Sequence, residues 1–381
     1  ADLSPLPVPR VKPSNLALDE LAERFARAKR PMLWLGGGAR HAGPQVQRLL
    51  AMGIGVVTST QGRGIVAEDD ERSLGAFNLN KPVEQFYQSC DAMLVVGSRL
   101  RGNETLKYEL KLPRPLYRAD ADATAEGRCY PSDYFVCGDA ELVLKGLADR
   151  LEGRMQVDPA FAADLSAARD QARTQLVDGL GPYASLVEQL QALAGRNFNW
   201  VRDVTVSNST WGNRHLQIFS PRAGVHALGG GIGQGLAMGI GAAVGAAETA
   251  PGRKTFTLAG DGGFILNLGE LATAVQERAD MLIVLMNDKG YGVIKNIQDA
   301  AYGGRRCYVD LHTPDYAQLS QSLGLRHARV SDLQDFSLAL DGALGEPGPF
   351  LLEVDMLSIG SFKTIFAGPP VNADQAEKAA S

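Results

Sequence analysis

Apolar residues along this chain come in short solid runs, separated by segments of helical period. Met32-Leu33-Trp34-Leu35, Ile54-Gly55-Val56-Val57-Thr58, Ala92-Met93-Leu94-Val95-Val96 and Leu116-Tyr117-Arg118-Ala119 are four such runs in the first third. Each is too short for a buried helix and is bounded by turn residues, which predicts strands covered on both faces. Around them, Leu16 to Lys29, Val46 to Met52, Val83 to Ser89 and Ala140 to Leu151 repeat apolar positions every three or four residues. That is the period of amphipathic helices. Strand and helix in alternation over 14–150 predict a doubly wound parallel sheet.

The same alternation runs over 183–365. Trp200 to Val206, Lys254 to Leu258, Met281 to Met286 and Phe350 to Val354 predict strands, and Gly233 to Ala247, Asn267 to Glu277 and Pro314 to Leu323 predict helices. Between the two units, 151–182 is polar and alanine-rich and reads as a connecting helix or linker. The fold class is therefore α/β: two doubly wound domains whose mainly parallel sheets, six-stranded in type, are flanked by helices. Residues 1–13 hold four prolines and no apolar period, the signature of an extended linker. The expectation is that a further domain precedes it. The tail, 366–381, reads as a loose or latch-like end.

Composition adds limits. At 381 residues, 45% hydrophobic and 21% charged, the chain can bury two substantial cores. A net charge of −5 with no basic block argues against nucleic acid as a partner. No stretch reaches the roughly 18 consecutive apolar residues of a membrane span. Cys90, Cys129, Cys137 and Cys307 form no CxxC pair, which fits reduced thiols and a cytoplasmic location better than a disulfide framework.

The chemistry concentrates at two strand ends. Thr255 to Ala259 runs into Gly260-Asp261-Gly262-Gly263, and Met281 to Met286 runs into Asn287-Asp288-Lys289-Gly290-Tyr291-Gly292. Asp288 follows Asp261 by 27 residues, the length of one strand–helix–strand crossover. Neighbouring parallel strands would bring both carboxylates to one edge of the sheet. Two hard oxygen ligands beside glycine amides describe a site for Mg²⁺ and a diphosphate.

This combination resembles the signature of thiamin diphosphate enzymes, and 14–365 is similar to the central and C-terminal domains of the pyruvate oxidase/acetohydroxyacid synthase/2-oxo-acid decarboxylase family. The resemblance implies that Mg²⁺ is held by Asp261, Asp288 and the carbonyl of Gly290. Asp288 departs from the commoner Asn and adds a charge. Diphosphate contacts are implied at Gly260, Gly262, Gly263, Tyr291, Gly292 and Val293, and at Asn208, Ser209 or Thr210. Read from the residues alone, Ser207 to Thr210 could equally cap a helix. A large apolar residue 25 positions before the metal aspartate, which bends the cofactor, falls on Leu236. The carbonyl that receives the aminopyrimidine falls on Gln234. Val293, Ile294 and Ile297 are implied to line the substrate pocket, with burial in the core as the plain alternative. Relatives of the pyruvate decarboxylase type carry a glutamate at the position of Ile294. Its absence places the chain nearer benzoylformate decarboxylase or acetolactate synthase.

Thiamin chemistry also needs a carboxylate on the pyrimidine ring. In the family that glutamate lies in an N-terminal domain of a neighbouring subunit, so no catalytic residue is assigned here. The implied reaction is non-oxidative decarboxylation of a 2-oxo acid through ylide and enamine intermediates. The alternatives are an acetolactate synthase-like carboligase and a non-catalytic cofactor-binding or regulatory fragment. The implied assembly is a homo-oligomer, a dimer or dimer of dimers, with shared sites. Nothing over 14–150 indicates FAD. Gly36-Gly37-Gly38 reads as a tight strand-to-helix turn sooner than a dinucleotide loop. His215, His226 and His312 lack metal-ligand spacing.

Overall fold

A computed structural model describes residues 9–368. Of the prolines expected to make a linker, those before Pro9 lie outside the described residues, as do 369–381 of the tail. The chain divides into two compact units, one ending at Asp170 and the other starting at Gln171. The dividing point falls inside one long helix, Phe161–Leu180.

The first unit holds five parallel strands: β1 (Pro31–Leu35), β2 (Gly55–Thr58), β3 (Ala92–Val96), β4 (Leu116–Asp120) and β5 (Tyr134–Cys137), in the order β2-β1-β3-β4-β5. The expected sheet type had six. β1, β2 and β3 are buried along their whole length, as solid apolar runs require. β5 escapes the apolar-run rule because three of its four residues are only half-buried. Helices Asn15–Phe25, Gly43–Ala51 and Ala140–Leu151 close one core over this sheet. Winding reverses between β1 and β3, the usual place for a ligand crevice in such sheets. Here the crevice is sealed by backbone. The Gly36 amide donates to Val96 O at 2.9 Å, the Gly38 amide to Gly97 O at 3.1 Å, and any side chain on Gly36 would strike Gly97 O.

The second unit holds six parallel strands: β6 (Phe198–Arg202), β7 (Gly224–His226), β8 (Lys254–Gly260), β9 (Met281–Asn287), β10 (Arg326–Val330) and β11 (Phe350–Asp355). Their order is β10-β11-β9-β8-β6-β7. β7 and β10 went unpredicted because β7 is three residues long and neither presents a solid apolar run. The strand expected over Trp200 to Val206 stops at Arg202, because the Asp203 carboxylate turns back to accept from the Val204 amide at 2.8 Å. The helix expected over Asn267 to Glu277 is confined to Glu270–Gln276, and a separate short helix, Asp261–Leu266, precedes it. Between them the Asn267 side chain leaves the helical path to donate to Gly233 O at 2.5 Å.

Candidate functional site

β8 and β9 pair in parallel with Gly260 opposite Met286, so the residues just past each strand share one rim of the sheet. Asp261 opens the helix Asp261–Leu266 and is almost fully buried, at 1% exposure. Its Oδ2 accepts from the Gly290 amide at 2.9 Å, and its carboxyl group hydrogen-bonds that of Asp288. Burial first, and the Asp288 charge second, push the Asp261 carboxyl up to about 7. Asp288 is also raised, by burial, with its hydrogen bond to Asp261 and the Lys295 ammonium pulling the other way. Two buried carboxyls this close share a proton unless a cation replaces it. Among the described residues no group of three or more His, Cys, Asp or Glu converges. Two carboxylates and a carbonyl are nonetheless enough for Mg²⁺ when phosphates and water complete its shell.

The loop after β9 is held against this pair. Lys289 adopts a left-handed φ of 48°. The Tyr291 amide donates to Val309 O at 2.9 Å, and the Leu311 amide to Lys289 O at 3.0 Å, so 289–291 runs as a short ribbon beside 309–311. Glycine is needed at 290, where a Cβ would strike the Val309 carbonyl oxygen, and it leaves room at 292. A side chain on Gly290 would also collide with Lys295 Nζ, and one on Gly292 with Asp288 Oδ2. Gly262 lies under the Tyr291 ring, and Gly263 lies against the Asp203 carboxylate.

The segment after β6 reaches the same rim. Thr205 packs on Gly260, and Val206 lies beside Gly292. The helix-cap reading of Ser207 to Thr210 is corrected: the cap is Thr205, whose Oγ1 accepts from the Asn208 amide at 3.1 Å. Thr210 Oγ1 donates to the carbonyls of Val206 and Ser207, both at 3.0 Å, as the chain enters a wide π-type turn over Asn208–Gly212. Ser207 Oγ and Asn208 Oδ1 are buried with no hydrogen-bond partner in the protein. Buried polar atoms left unpaired by the protein suit a polar ligand.

Asp203 was missed by the sequence reading. It is 1% exposed, and both its oxygens accept from the Gly233 amide, at 3.1 and 2.9 Å. Its carboxyl is raised by burial and held down again by backbone amides of Val204, Gly233, Gly235 and Gln234. It thereby fixes the start of the helix Gln234–Thr249 beside Gly263. The signal was its place immediately after an apolar strand, hidden by drawing that strand to Val206.

One assignment on this helix changes, that of Leu236; the expectation for the Gln234 carbonyl is unaffected. Leu236 is 1% exposed and packs in the core with Ile240, Phe264 and Met281, so it presents no surface to a ligand. Two apolar side chains of the preceding glycine loop are exposed, Leu228 at 69% and Ile232 at 38%. One residue on, Gly233 lies against the space a side chain on Gly263 would take. The Gln234 side chain is spent on the glycine loop, accepting from the Leu228 amide and donating to the carbonyls of Leu228 and Gly231.

Helix Gly292–Tyr302 has no buried residue, so Val293, Ile294 and Ile297 are not core. A cleft of about 220 Å³ beside Asp288 takes Gly292, Lys295 and Asn296 from this helix, together with Val206, Arg306 and parts of 356–366. Val293, Ile294 and Ile297 are not in its lining, because at 100° per residue they project from other faces.

Comparison with known proteins is consistent with this geometry. The model of the thiamine pyrophosphate enzyme C-terminal TPP-binding domain matches residues 205–354, and that of the central domain of the same enzymes matches 18–147. The chain belongs to the thiamine pyrophosphate enzyme family. Within the family it is 27% identical over 370 residues to acetolactate synthase 1, chloroplastic, of Nicotiana tabacum, covering 90% of this chain and 53% of that protein. It is 30% identical over 351 residues to a probable 2-ketoarginine decarboxylase of Pseudomonas aeruginosa, covering 90% of this chain and 61% of that protein. Against the acetolactate synthase of Mycobacterium bovis the figure is 27% over 348 residues, 86% of this chain and 56% of the relative. The chain thus spans little more than half the length of these thiamine pyrophosphate enzymes. Among the described residues no helix is long and apolar enough to cross a membrane.

Proposed function

We propose that this chain supplies the diphosphate- and metal-binding half of a thiamin diphosphate- and Mg²⁺-dependent enzyme that decarboxylates a 2-oxo acid without oxidation. The observation that carries the reading is the meeting of Asp261 and Asp288 at the rim of β8 and β9, in a chain of this family. When bound, the cofactor supplies an electron sink for the carbanion left by departing CO₂. Asp261, Asp288 and the Gly290 carbonyl hold the cation, whose charge replaces the shared proton. Amides of Gly262, Gly263, Tyr291, Gly292 and Val293, with Asn208, Ser209 and Thr210, take the diphosphate oxygens. Gly260 lets the segment after β6 come close. Ile232, in place of Leu236, would offer the cofactor an exposed apolar side chain. Lys295 and Asn296 line the cleft beside Asp288, and the exposed Ile294 with Val293 and Ile297 faces the part of the substrate pocket that another domain completes. The ring carboxylate comes from such a domain in a partner subunit, which makes the working form a homo-oligomer, a dimer or dimer of dimers.

The acetolactate synthases among the relatives support a second reading, carboligation. With pyruvate, thiamin diphosphate and Mg²⁺, release of CO₂ without acetolactate supports the decarboxylase, and acetolactate supports the ligase. Absence of cofactor binding, even beside an added pyrimidine-binding domain, would overturn both in favour of a non-catalytic module.

A further inference from the structure

We infer that Glu353 is a positioning residue for the metal loop, acting through Asn287. The inference rests on the proposed role of Asp261 and Asp288. Glu353 sits on β11 and is 5% exposed, on a strand whose residues are all buried. A carboxylate among such neighbours is costly unless its oxygens are engaged, and both are. Oε1 accepts from Asn287 Nδ2 at 2.8 Å, and Oε2 lies 3.3 Å from His327 Nε2 on β10.

Asn287 ends β9 and is 3% exposed. Its carboxamide has one accepting and one donating end, and an ionised carboxylate only accepts. Glu353 therefore claims the NH₂ end and turns Asn287 Oδ1 toward the loop, where it accepts from the Lys289 amide at 3.2 Å. Lys289 needs holding, because its left-handed φ of 48° is one that residues with side chains rarely adopt. The next amide, Gly290, donates to Asp261 Oδ2 at 2.9 Å, and the next carbonyl is the proposed third metal ligand. One hydrogen-bonded line thus crosses four adjacent strands, β10, β11, β9 and β8, and ends at the carboxylate pair.

An apolar side chain at 353 would serve packing as well and the loop not at all. The test uses Glu353→Leu, Glu353→Gln and Asn287→Ala with two readouts. One is amide hydrogen exchange over 287–291 in the metal-free protein. The other is Mn²⁺ affinity in the presence of thiamin diphosphate, followed by electron paramagnetic resonance. Glu353→Leu is expected to speed exchange over 287–291 and to weaken Mn²⁺ about 10–100-fold, the range for groups that orient metal ligands. Glu353→Gln, which still offers Asn287 an oxygen, should recover most of both. Added to Asn287→Ala, Glu353→Leu should cost nothing more. A Glu353→Leu protein that melts earlier but keeps wild-type exchange and Mn²⁺ affinity would overturn the inference and leave the metal site standing. So would losses that add to those of Asn287→Ala. A wild-type protein that binds no Mn²⁺ would remove the metal reading and this inference together.

Discussion

Both units wind their first four strands identically: counted from its own first strand, each sheet begins in the order 2-1-3-4. Their strand ends differ completely. In the first unit the loops after β1 and β3 touch backbone to backbone, through Gly36, Gly38 and Gly97, and no space is left between them. In the second, the loops after β6, β8 and β9 bring three carboxylates, Asp203, Asp261 and Asp288, to one rim. One acid braces the scaffold, and the other two face each other at the proposed cation site. A shared winding therefore says little about chemistry, which lives in the residues at the strand ends.

The sharpest way to break this contrast is Asp261→Ala. It should weaken Mg²⁺-dependent binding of thiamin diphosphate by more than about 100-fold, beyond what outer groups cost. The metal-free fold should lose about 1–3 kcal/mol by it, since the buried Gly290 amide loses its acceptor. Calorimetric titration and a thermal melt read the two effects. Leu236→Ala should cost about 2–5 kcal/mol of stability as a core truncation, whereas the exposed Ile232→Ala should leave the melt nearly unchanged and weaken the cofactor. Gly36→Ala should destabilise the first unit by about 1–3 kcal/mol, the usual cost of overpacking, with diphosphate affinity intact.

The smallest effect is one of pH. Asp203, Asp261 and Asp288 all have carboxyls raised by burial, so each favours the native state when protonated. Their contribution is complete below the ordinary carboxylate range and is lost as pH rises, for Asp261 through about 7. Melts of metal-free protein should therefore fall between pH 5 and 8 in this respect, and Mg²⁺ should raise them most at the upper end. A Mg²⁺ effect that is equal across that range would contradict the shared proton.

Much of this was legible in the sequence. β3 and the helix Ala140–Leu151 stand where the apolar pattern puts them, and the Asp261–Asp288 spacing leads directly to paired strands. Three things were not legible. Short half-polar strands such as β7 lack a hydrophobic signature. Counting back from Asp261 led to Leu236, because a count along the chain does not register which side of a helix faces the core. Asn287 and Glu353 lie 66 residues apart, and their contact exists only once β9 and β11 pair.

The central claim is tested most directly by a crystal structure with Mn²⁺ and thiamin diphosphate, read from the anomalous signal of manganese. The predicted peak lies between the carboxylates of Asp261 and Asp288, within about 2.0–2.6 Å of their oxygens and of the Gly290 carbonyl. A cofactor-bound structure with its anomalous peak elsewhere, and the two carboxyls still joined to each other, would contradict it.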